Sequence, residues 1–203
     1  MRKTILLSGG IDSLVCAEMA RQAGDLGLCV FVDYGHPAQV PEGWKAFAYC
    51  GERGVPLKVV HAFGLALGDM ATEAGARVVP GRNALLLAIA ANASSGGPVV
   101  IGCNKADQDA YKDCRRTFLS TMSAALGVAI ESPLIHKTKA EIIGMARALG
   151  LSRSDAWACY GAGPKPCGTC PSCQESARAW GADCCGRTWR QIEANGHAKG
   201  CEL

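Results

Sequence analysis

Short apolar runs alternate with stretches of helical periodicity along most of the chain. The apolar runs predict five strands, at residues 4–7, 28–32, 57–60, 99–101 and 128–130. Apolar residues at helical spacing predict five helices between and after these strands, at about residues 13–23, 43–53, 83–93, 114–126 and 139–149. Strands with few polar positions that alternate with helices are typical of a mostly parallel sheet with both faces covered. We therefore predict an α/β fold with a doubly wound sheet.

The helix predicted at 139–149 has the clearest start and end signals. Residues Thr138 to Glu141 fit a capping box, in which the threonine hydroxyl and the glutamate carboxylate each bind a backbone N–H at the helix start. Gly150 follows the last turn as a C-terminal cap. These signals predict both helix ends independently of hydrophobic periodicity.

The composition changes from Gly161 onward, where glycine, proline and cysteine become frequent. Such a composition indicates a loop-rich segment rather than a second folded domain. We therefore predict an α/β domain over residues 1–156, followed by a small appendage and a C-terminal tail over residues 157–203. The sequence contains no internal repeat and suggests no role for residues 186–203.

The bulk composition excludes several classes of protein. The chain has 203 residues, of which 49% are hydrophobic and 19% charged, as expected for a globular protein. A formal charge of +3 is too small to indicate nucleic-acid binding by itself. The longest apolar run, residues 84–93, is too short to span a bilayer. Because Met1-Arg2-Lys3 leads directly into a strand, we expect no signal peptide and a cytoplasmic location.

Residues 8–13, with the sequence Ser-Gly-Gly-Ile-Asp-Ser, lie between the first strand and the first helix. Bare backbone N–H groups and a helix dipole in such a turn favour an anion. The spacing differs from the G-x-x-x-x-G-K-[ST] and G-x-G-x-x-G loops. It resembles the SGGxDS loop of the ATP pyrophosphatases, which cleave ATP between the α- and β-phosphates. Asp12 is suited either to hold Mg²⁺ or, if the segment is only a glycine-rich turn, to cap the helix.

A second polar segment, Asp33-Tyr34-Gly35, ends the second predicted strand. Ligands of open parallel sheets bind at the carboxyl ends of the strands. The two segments therefore predict one crevice, although Asp33 taken alone is more typical of a turn.

Four of the twelve cysteines cluster as Cys159-x7-Cys167-x2-Cys170-x2-Cys173. Four thiolates suit a tetrahedral zinc ion and leave no open coordination position, so we predict a structural metal site. Iron–sulfur proteins share the C-x2-C-x2-C step, but their usual Cys-Pro three residues later is absent here. Redox-active thiols are the remaining alternative. Cys184, Cys185 and Cys201 have no predicted role.

The phosphate loop and the cysteine cluster occur together with four further segments. Residues 79–83 read Val-Pro-Gly-Arg-Asn, Pro133-Leu134 precedes Lys139-Ala140-Glu141-Ile142, and Trp157 leads into Cys159-Tyr160. The spacing G-x4-D-x3-Y-x-D-C-R begins at Gly102 and gives Asp107, Tyr111, Asp113, Cys114 and Arg115. In this order, from residue 5 to about 180, the segments resemble the 7-cyano-7-deazaguanine synthase (QueC) family of PP-loop ATP pyrophosphatases.

The resemblance implies a Rossmann-like, HUP-type fold and an ATP-dependent ligase. The family converts 7-carboxy-7-deazaguanine and ammonia to 7-cyano-7-deazaguanine through an acyl adenylate, with AMP and pyrophosphate as products. It implies ATP, Mg²⁺ and structural Zn²⁺ as cofactors, and a homodimer without nucleic-acid or membrane partners. Because 203 residues leave no room for a glutaminase domain, we expect ammonia to arrive free or from a partner.

The resemblance also implies roles for individual residues. The expected ATP site comprises Ser8, Gly9, Gly10, Asp12, Ser13 and Asp33. Arg82 and Lys139 are the expected cationic partners of phosphate or carboxylate, and with Asp12 and Ser13 they form the expected catalytic group. The expected acceptor pocket comprises Asn83, Asp107, Tyr111, Asp113 and Arg115. The expected metal ligands are Cys159, Cys167, Cys170 and Cys173.

The chain departs from the family pattern at three places. His36 to Pro41 replaces a basic Q-R-H-type stretch, residues 63–78 replace a long excursion, and Asn104 replaces a glutamate. These departures leave the acceptor open. One alternative is a paralogue that stops at the amide or transfers the acyl group to a macromolecule. Another is an RNA-modifying enzyme of the thiolation type, which needs a sulfur-carrying cysteine and a basic surface. A catalytically inactive zinc-binding scaffold has no reason to keep the phosphate loop.

Overall fold

A computed structural model describes residues 1–62 and 79–181. Five strands in this part of the chain form one sheet, with the order β3-β2-β1-β4-β5 and every neighbouring pair parallel. In the centre of the sheet, Ile5 of β1 lies opposite Cys29 of β2 and Val100 of β4. The strands are β1 Lys3–Leu6, β2 Leu26–Asp33, β3 Leu57–His61, β4 Val99–Val100 and β5 Ile130–Glu131. The predicted parallel α/β sheet is confirmed.

Helices cover both faces of this sheet. The described helices are α1 Ile11–Gln22, α2 Gln39–Arg53, α3 Arg82–Ala93, α4 Lys105–Ala110, α5 Arg116–Leu126, α6 Lys139–Ala148 and α7 Pro171–Trp180. Five of them correspond to the predicted helices, whereas α4 and α7 were not predicted. The largest error in a boundary is at α2, which begins at Gln39 rather than at about residue 43. Pro41 fits there because N–H groups in the first helical turn have no partner within the helix.

Adjacent residues of the central strands point into two separate cores. Ile5 and Phe31 pack on one side of the sheet with Leu14, Ala46 and Ile142, which belong to α1, α2 and α6. Their neighbours Leu6 and Val30 pack on the other side, with Leu87 of α3 and Leu119 of α5. Because both faces are buried, the strands read as apolar runs rather than as an alternating pattern. The doubly wound architecture is confirmed.

The order in which strands are added to the sheet reverses at β1. From β1 the chain proceeds outward to β2 and β3, and then returns to β4 and β5 on the other side of β1. In open α/β sheets, such a reversal leaves a crevice outside the carboxyl ends of the two neighbouring strands where it occurs, which here are β1 and β4. The segments after β1 and β4, which carry the phosphate loop and Asn104 to Arg115, therefore face each other.

The predicted capping box of α6 is present. The Thr138 Oγ1 atom accepts a hydrogen bond from the Glu141 N–H at 3.3 Å, and a carboxylate oxygen of Glu141 accepts from the Thr138 N–H at 2.8 Å. Gly150 has a φ of +77° just past the helix end, as a C-terminal glycine cap requires.

The cysteine-rich segment packs on the main core, since Trp180 of α7 is buried in the same cluster as α6. The division of the chain at residue 156 stays a prediction. Across residues 1–62 and 79–181, no helix combines the length and the apolar character needed to cross a membrane.

Candidate active site

The loop between β1 and α1 packs tightly against the start of α2. Gly9 has a φ of +77°, and a Cβ at this position would collide with the carbonyl oxygen of Glu42. Gly10 is the N-cap of α1, with extended backbone angles and no side chain to cap the helix. A residue with a side chain at position 9 would therefore be both strained and sterically blocked.

The two serines of the loop form hydrogen bonds within the loop. Ser13 Oγ donates a hydrogen bond to the Gly10 carbonyl at 2.8 Å and accepts one from the Ser8 N–H at 3.1 Å. Ser8 Oγ lies 3.2 Å from Ser13 Oγ and accepts a hydrogen bond from the Gly10 N–H at 3.3 Å. These contacts fix the shape of the loop beside the positive end of the α1 dipole, where an anion is stabilised.

Asp12 lies in the first turn of α1 and is held from two other elements. Lys139 Nζ of α6 donates to both carboxylate oxygens, at 2.8 and 2.9 Å. Asn104 Nδ2, from the segment after β4, donates to Oδ2 at 2.8 Å. The alternative that Asp12 caps the helix is wrong, because Gly10 occupies the cap position and the carboxylate is bound by Lys139 and Asn104.

Lys139 is the cation at the centre of this arrangement. Burial lowers its pKa, but the charge and hydrogen bonds of Asp12 and the charges of Glu175 and Asp107 outweigh burial and raise the pKa above its usual value. Burial raises the pKa of Asp107, and the nearby charges of Asp12 and Glu175 act in the same direction. Lys139 therefore stays charged and partly neutralises three carboxylates.

Arg82 and Asn83 begin α3 on the opposite wall. Burial lowers the pKa of Arg82, but contacts with Tyr34 and the charge of Asp113 raise it overall. Asn83 is buried, and its Nδ2 donates to the Asp113 carbonyl at 3.2 Å and to Cys114 Sγ at 3.4 Å. These bonds join the start of α3 to the segment that follows α4.

One cavity of about 1290 Å³ joins these elements. Nine of the residues predicted for the ATP and acceptor sites line it: Ser8, Gly10, Asp12, Ser13, Arg82, Asn83, Asp107, Tyr111 and Lys139. The remaining four, Gly9, Asp33, Asp113 and Arg115, are not on its wall.

The four residues away from the wall have other contacts. Gly9 lies within the loop, and the Asp113 carbonyl binds Asn83. Asp33 accepts a hydrogen bond from the Gly35 N–H at 3.0 Å and lies 3.2 Å from His61 Nδ1, so it forms a turn. Arg115 is exposed and donates to the Gln108 carbonyl at 3.2 Å. The geometry does not favour direct ligand contacts for Asp33 or Arg115.

The cavity wall also includes residues that the sequence did not assign to it, among them Glu175, His36 and Trp157. Glu175 lies on α7, beyond the predicted α/β domain, and no sequence signal pointed to it. His36 stacks on Tyr34 with ring centroids 4.4 Å apart, and its Nε2 lies 2.7 Å from a Glu42 carboxylate oxygen. Trp157 was recognised only as part of the lead into the cysteine cluster.

The four clustered cysteines form a site that can hold a metal ion. Their Sγ atoms all lie within 4.8 Å of one another. Backbone N–H groups donate to three of these sulfurs: Cys159 Sγ accepts from Gly161 and Cys167 at 3.3 Å, Cys167 Sγ from Cys170 at 3.3 Å, and Cys170 Sγ from Cys173 at 3.5 Å. Such bonds stabilise thiolates, which are the metal-binding form.

Within the cluster, the pKa of Cys167 favours the thiolate, whereas the pKa of Cys173 does not. The hydrogen bond from the Cys170 N–H, with others from Thr169, lowers the pKa of Cys167 to about 6. Burial instead raises the pKa of Cys173. A bound cation supplies the charge that a buried thiolate needs, so the donor set fits a metal better than free thiols.

The cysteine segment also contacts the phosphate loop. The Trp157 N–H donates to the Gly9 carbonyl at 2.9 Å, and the Trp157 indole N–H donates to the Cys159 carbonyl at 2.8 Å. Trp157 therefore joins Cys159, the first cysteine of the cluster, to the phosphate loop.

Residues 65–183 match the family model of the queuosine biosynthesis protein QueC. A protein of Sphingopyxis alaskensis named 7-cyano-7-deazaguanine synthase 1 is 33% identical over 199 residues, which cover 84% of this chain and 89% of the relative. The 7-cyano-7-deazaguanine synthase of Novosphingobium aromaticivorans is 34% identical, with 84% and 85% covered.

Solved structures with low sequence identity share the fold. The U34-tRNA thiolase NcsA from Methanococcus maripaludis, solved with its [4Fe-4S] cluster, has a TM-score of 0.55 at 19% identity, over 89% of this chain and 63% of that one. NMN synthetase from Francisella tularensis has a TM-score of 0.54 at 18% identity, over 81% and 69%. Together with the family match and the identities above 30%, the phosphate loop and the cysteine cluster show that this chain belongs to the QueC family.

Proposed function

We propose that this protein converts 7-carboxy-7-deazaguanine and ammonia to 7-cyano-7-deazaguanine with ATP. The relatives that span most of this chain carry the name of this activity. The observation that carries the proposal is the single cavity whose wall includes both the phosphate loop and Asn83, Asp107 and Tyr111. An enzyme that adenylates an acid needs these two sites side by side.

The reaction requires two activations because a carboxylate is a poor electrophile. In the first, a carboxylate oxygen attacks the α-phosphorus of ATP, pyrophosphate leaves, and ammonia then displaces AMP to form the amide. In the second, the amide oxygen attacks the α-phosphorus of another ATP, pyrophosphate leaves, and elimination of AMP with loss of the two amide protons gives the nitrile. Both oxygens of the acid therefore leave in AMP, and each nitrile requires two ATP.

In this proposal the phosphate loop binds the pyrophosphate that leaves. The N-terminus of α1 and the backbone of Gly9 and Gly10 stabilise its negative charge, and Arg82 and Lys139 supply cations. Asp12 is the residue suited to Mg²⁺, which when bound neutralises phosphate charge. Lys139 and Asn104 both donate to Asp12 and so orient the carboxylate that would hold the ion.

Asp107 and Tyr111 are the proposed acceptor contacts. One Asp107 oxygen accepts a hydrogen bond from the Asn104 N–H at 2.9 Å, which leaves the other oxygen for the donor edge of a guanine-like ring. We assign no direct part to Asp113 and Arg115, since neither lines the cavity. Assembly as a homodimer stays a prediction.

We also propose zinc as the metal of the cysteine cluster. A zinc ion with Zn–S bonds of about 2.3 Å holds four sulfurs about 3.8 Å apart. The Cys167 and Cys173 sulfurs are 4.0 Å apart, and all four lie within 4.8 Å. Each cysteine of a four-iron cluster binds a different iron, so its sulfurs are farther apart, and the compact set favours a single ion.

The test is turnover by the purified protein with 7-carboxy-7-deazaguanine carrying ¹⁸O in the carboxylate, ammonium and Mg-ATP. We expect AMP and pyrophosphate, two of each per nitrile, with the label in AMP by mass spectrometry. Guanine, which lacks the acid, should give no pyrophosphate release. ADP as product would contradict the proposal. An amide or a covalent protein adduct as end product would indicate the paralogue, and sulfur transfer to RNA the thiolation enzyme.

A further inference from the structure

Asn104 lies between Asp12 of the phosphate loop and Asp107, one of the proposed acceptor contacts. We propose that Asn104 is a positioning residue, which orients the Asp12 carboxylate and couples ATP binding to acceptor binding through Asp107. The inference rests on the proposed function and deepens it, because it assigns a role to a position where this chain departs from the family pattern.

The local geometry leaves one orientation for the Asn104 amide. Asn104 is 4% exposed and is the N-cap of α4. Its Oδ1 accepts a hydrogen bond from the Asp107 N–H at 3.1 Å, and its own N–H donates to Asp107 Oδ2 at 2.9 Å. Because Oδ1 is needed at the helix start, the Nδ2 donor must point the other way, toward Asp12 Oδ2 at 2.8 Å.

A close approach of the backbone brings Asn104 within reach of Asp12. Gly102, two residues earlier, packs so tightly on α1 that a Cβ there would lie 3.0 Å from the backbone carbon of Asp12 and from the Ser13 nitrogen. A short side chain from position 104 therefore spans the gap to Asp12. The same residue caps the helix that carries Asp107, so a shift of Asp107 on acceptor binding moves the donor on Asp12.

The neutral amide of Asn104 gives Asp12 a hydrogen-bond donor without adding a charge. The ionisable groups around Asp12 are Lys139 of α6, Asp107 of α4, Glu175 of α7 and Cys16 of α1. One lysine already faces three carboxylates, and a further acid at position 104 would add a fourth beside Asp12. The amide supplies a donor instead and leaves Lys139 able to serve both Asp12 and phosphate.

Two substitutions separate positioning from capping. Serine is also a good N-cap residue, so Asn104→Ser should keep the melting temperature close to that of the parent protein. N104S lacks the donor to Asp12, and we expect kcat to fall about 10- to 100-fold with a smaller change in KM for ATP. Asn104→Asp also lacks this donor and places a second carboxylate in contact with Asp12, so we expect kcat to fall at least as far as in N104S. Asn92→Asp, at an exposed position of α3, is the matched control.

Equilibrium binding tests the coupling without turnover. Calorimetry measures binding of α,β-methylene-ATP with and without saturating 7-carboxy-7-deazaguanine. We expect the acid to tighten this binding about 5-fold or more in the parent protein and in N92D, and less than about 2-fold in N104S. Parental kinetics in N104S and N104D, or equal coupling in N104S and the parent, would overturn the inference. A parent that binds both ligands cooperatively but forms no nitrile would instead refute the proposed function alone.

Discussion

At the residue scale, the phosphate loop depends on Gly9 for two separate reasons. Its φ of +77° is a conformation that other residues adopt only with strain, and the Glu42 carbonyl occupies the place of a side chain. Gly24 has nearly the same φ, +75°, with nothing within 4 Å of a Cβ. The two glycines therefore allow strain and collision to be measured separately.

We expect Gly24→Ala to lower the free energy of unfolding by about 1 kcal/mol, the usual strain of this conformation. Gly9→Ala should cost about 2 kcal/mol more, because the loop or α2 must move, and should reduce pyrophosphate release at least about 10-fold. Urea unfolding and a pyrophosphate assay measure both effects. Equal losses of stability in the two variants would show that the contact with Glu42 has no energetic weight.

At the scale of elements, the buried carboxylate of Glu18 joins α1 to α2 through hydrogen bonds. Glu18 of α1 is 2% exposed, and it accepts hydrogen bonds from Arg21 at 2.7 Å, from Tyr49 of α2 at 3.0 Å and from Arg53 at 3.2 Å. Burial opposes ionisation, but the hydrogen bonds from Arg21, Gln22 and Tyr49 outweigh it and lower the pKa of Glu18 to about 2. This group orders the two helices that flank the phosphate loop.

The stability that Glu18 contributes should depend on pH. Its pKa is lower in the folded state than the value near 4.5 expected when unfolded, so the contribution is complete above pH 4.5 and is lost as pH falls toward 2. We expect Glu18→Gln to cost about 3 kcal/mol at pH 7 and much less near pH 2.5. Urea unfolding across this range measures the difference. Glu52→Gln, at an exposed partner of Arg53, should cost less than about 1 kcal/mol at either pH. A loss of unfolding free energy in E18Q that is the same at pH 7 and near pH 2.5 would contradict the low pKa of Glu18.

At the scale of the whole molecule, the cysteine segment closes over the cleft formed by the sheet. Trp157 binds the Gly9 carbonyl, and Lys45 of α2 donates to the Ser154 carbonyl at 2.6 Å. Arg147 of α6 lies over the Trp180 ring of α7, 5.4 Å from its centroid, and donates to the Trp180 carbonyl. A metal ion held by the four cysteines would therefore stabilise a segment that contacts the phosphate loop.

Removal of the metal should weaken ATP binding as well as the fold. We expect a strong chelator, or Cys173→Ser, to remove about one metal ion per chain and to lower the melting temperature by several degrees. The KM for ATP should rise, because Trp157 no longer holds Gly9 in place. Metal analysis, calorimetry and kinetics give the three values. Cys16→Ala, which changes a buried cysteine outside the cluster, should retain the metal. An unchanged KM for ATP after metal loss would show that the loop does not depend on this segment.

The two helices that the sequence pattern did not predict, α4 and α7, both begin at side-chain caps. Helix α4 has only six residues, starts at the capping box of Asn104 and Asp107, and contains no buried residue. Helix α7 starts where the Cys170 sulfur accepts a hydrogen bond from the Cys173 N–H, within the cysteine cluster. Neither start is a hydrophobic signal. The other helices were predicted from apolar residues at helical spacing.

The sequence by itself determined the alternating α/β architecture, the glycines of the phosphate loop and the four clustered cysteines. Each of these depends on residues close together in the chain, whose spacing sets local conformation. Only the tertiary structure decided that Lys139 and Asn104, 127 and 92 residues away, both bind Asp12, and that Asp33 forms a turn instead of lining the cavity. Those contacts follow from the reversal of strand order at β1 and the close packing of Gly102 on α1. Sequence spacing does not fix which distant side chains meet, because the packing of the whole domain sets those distances.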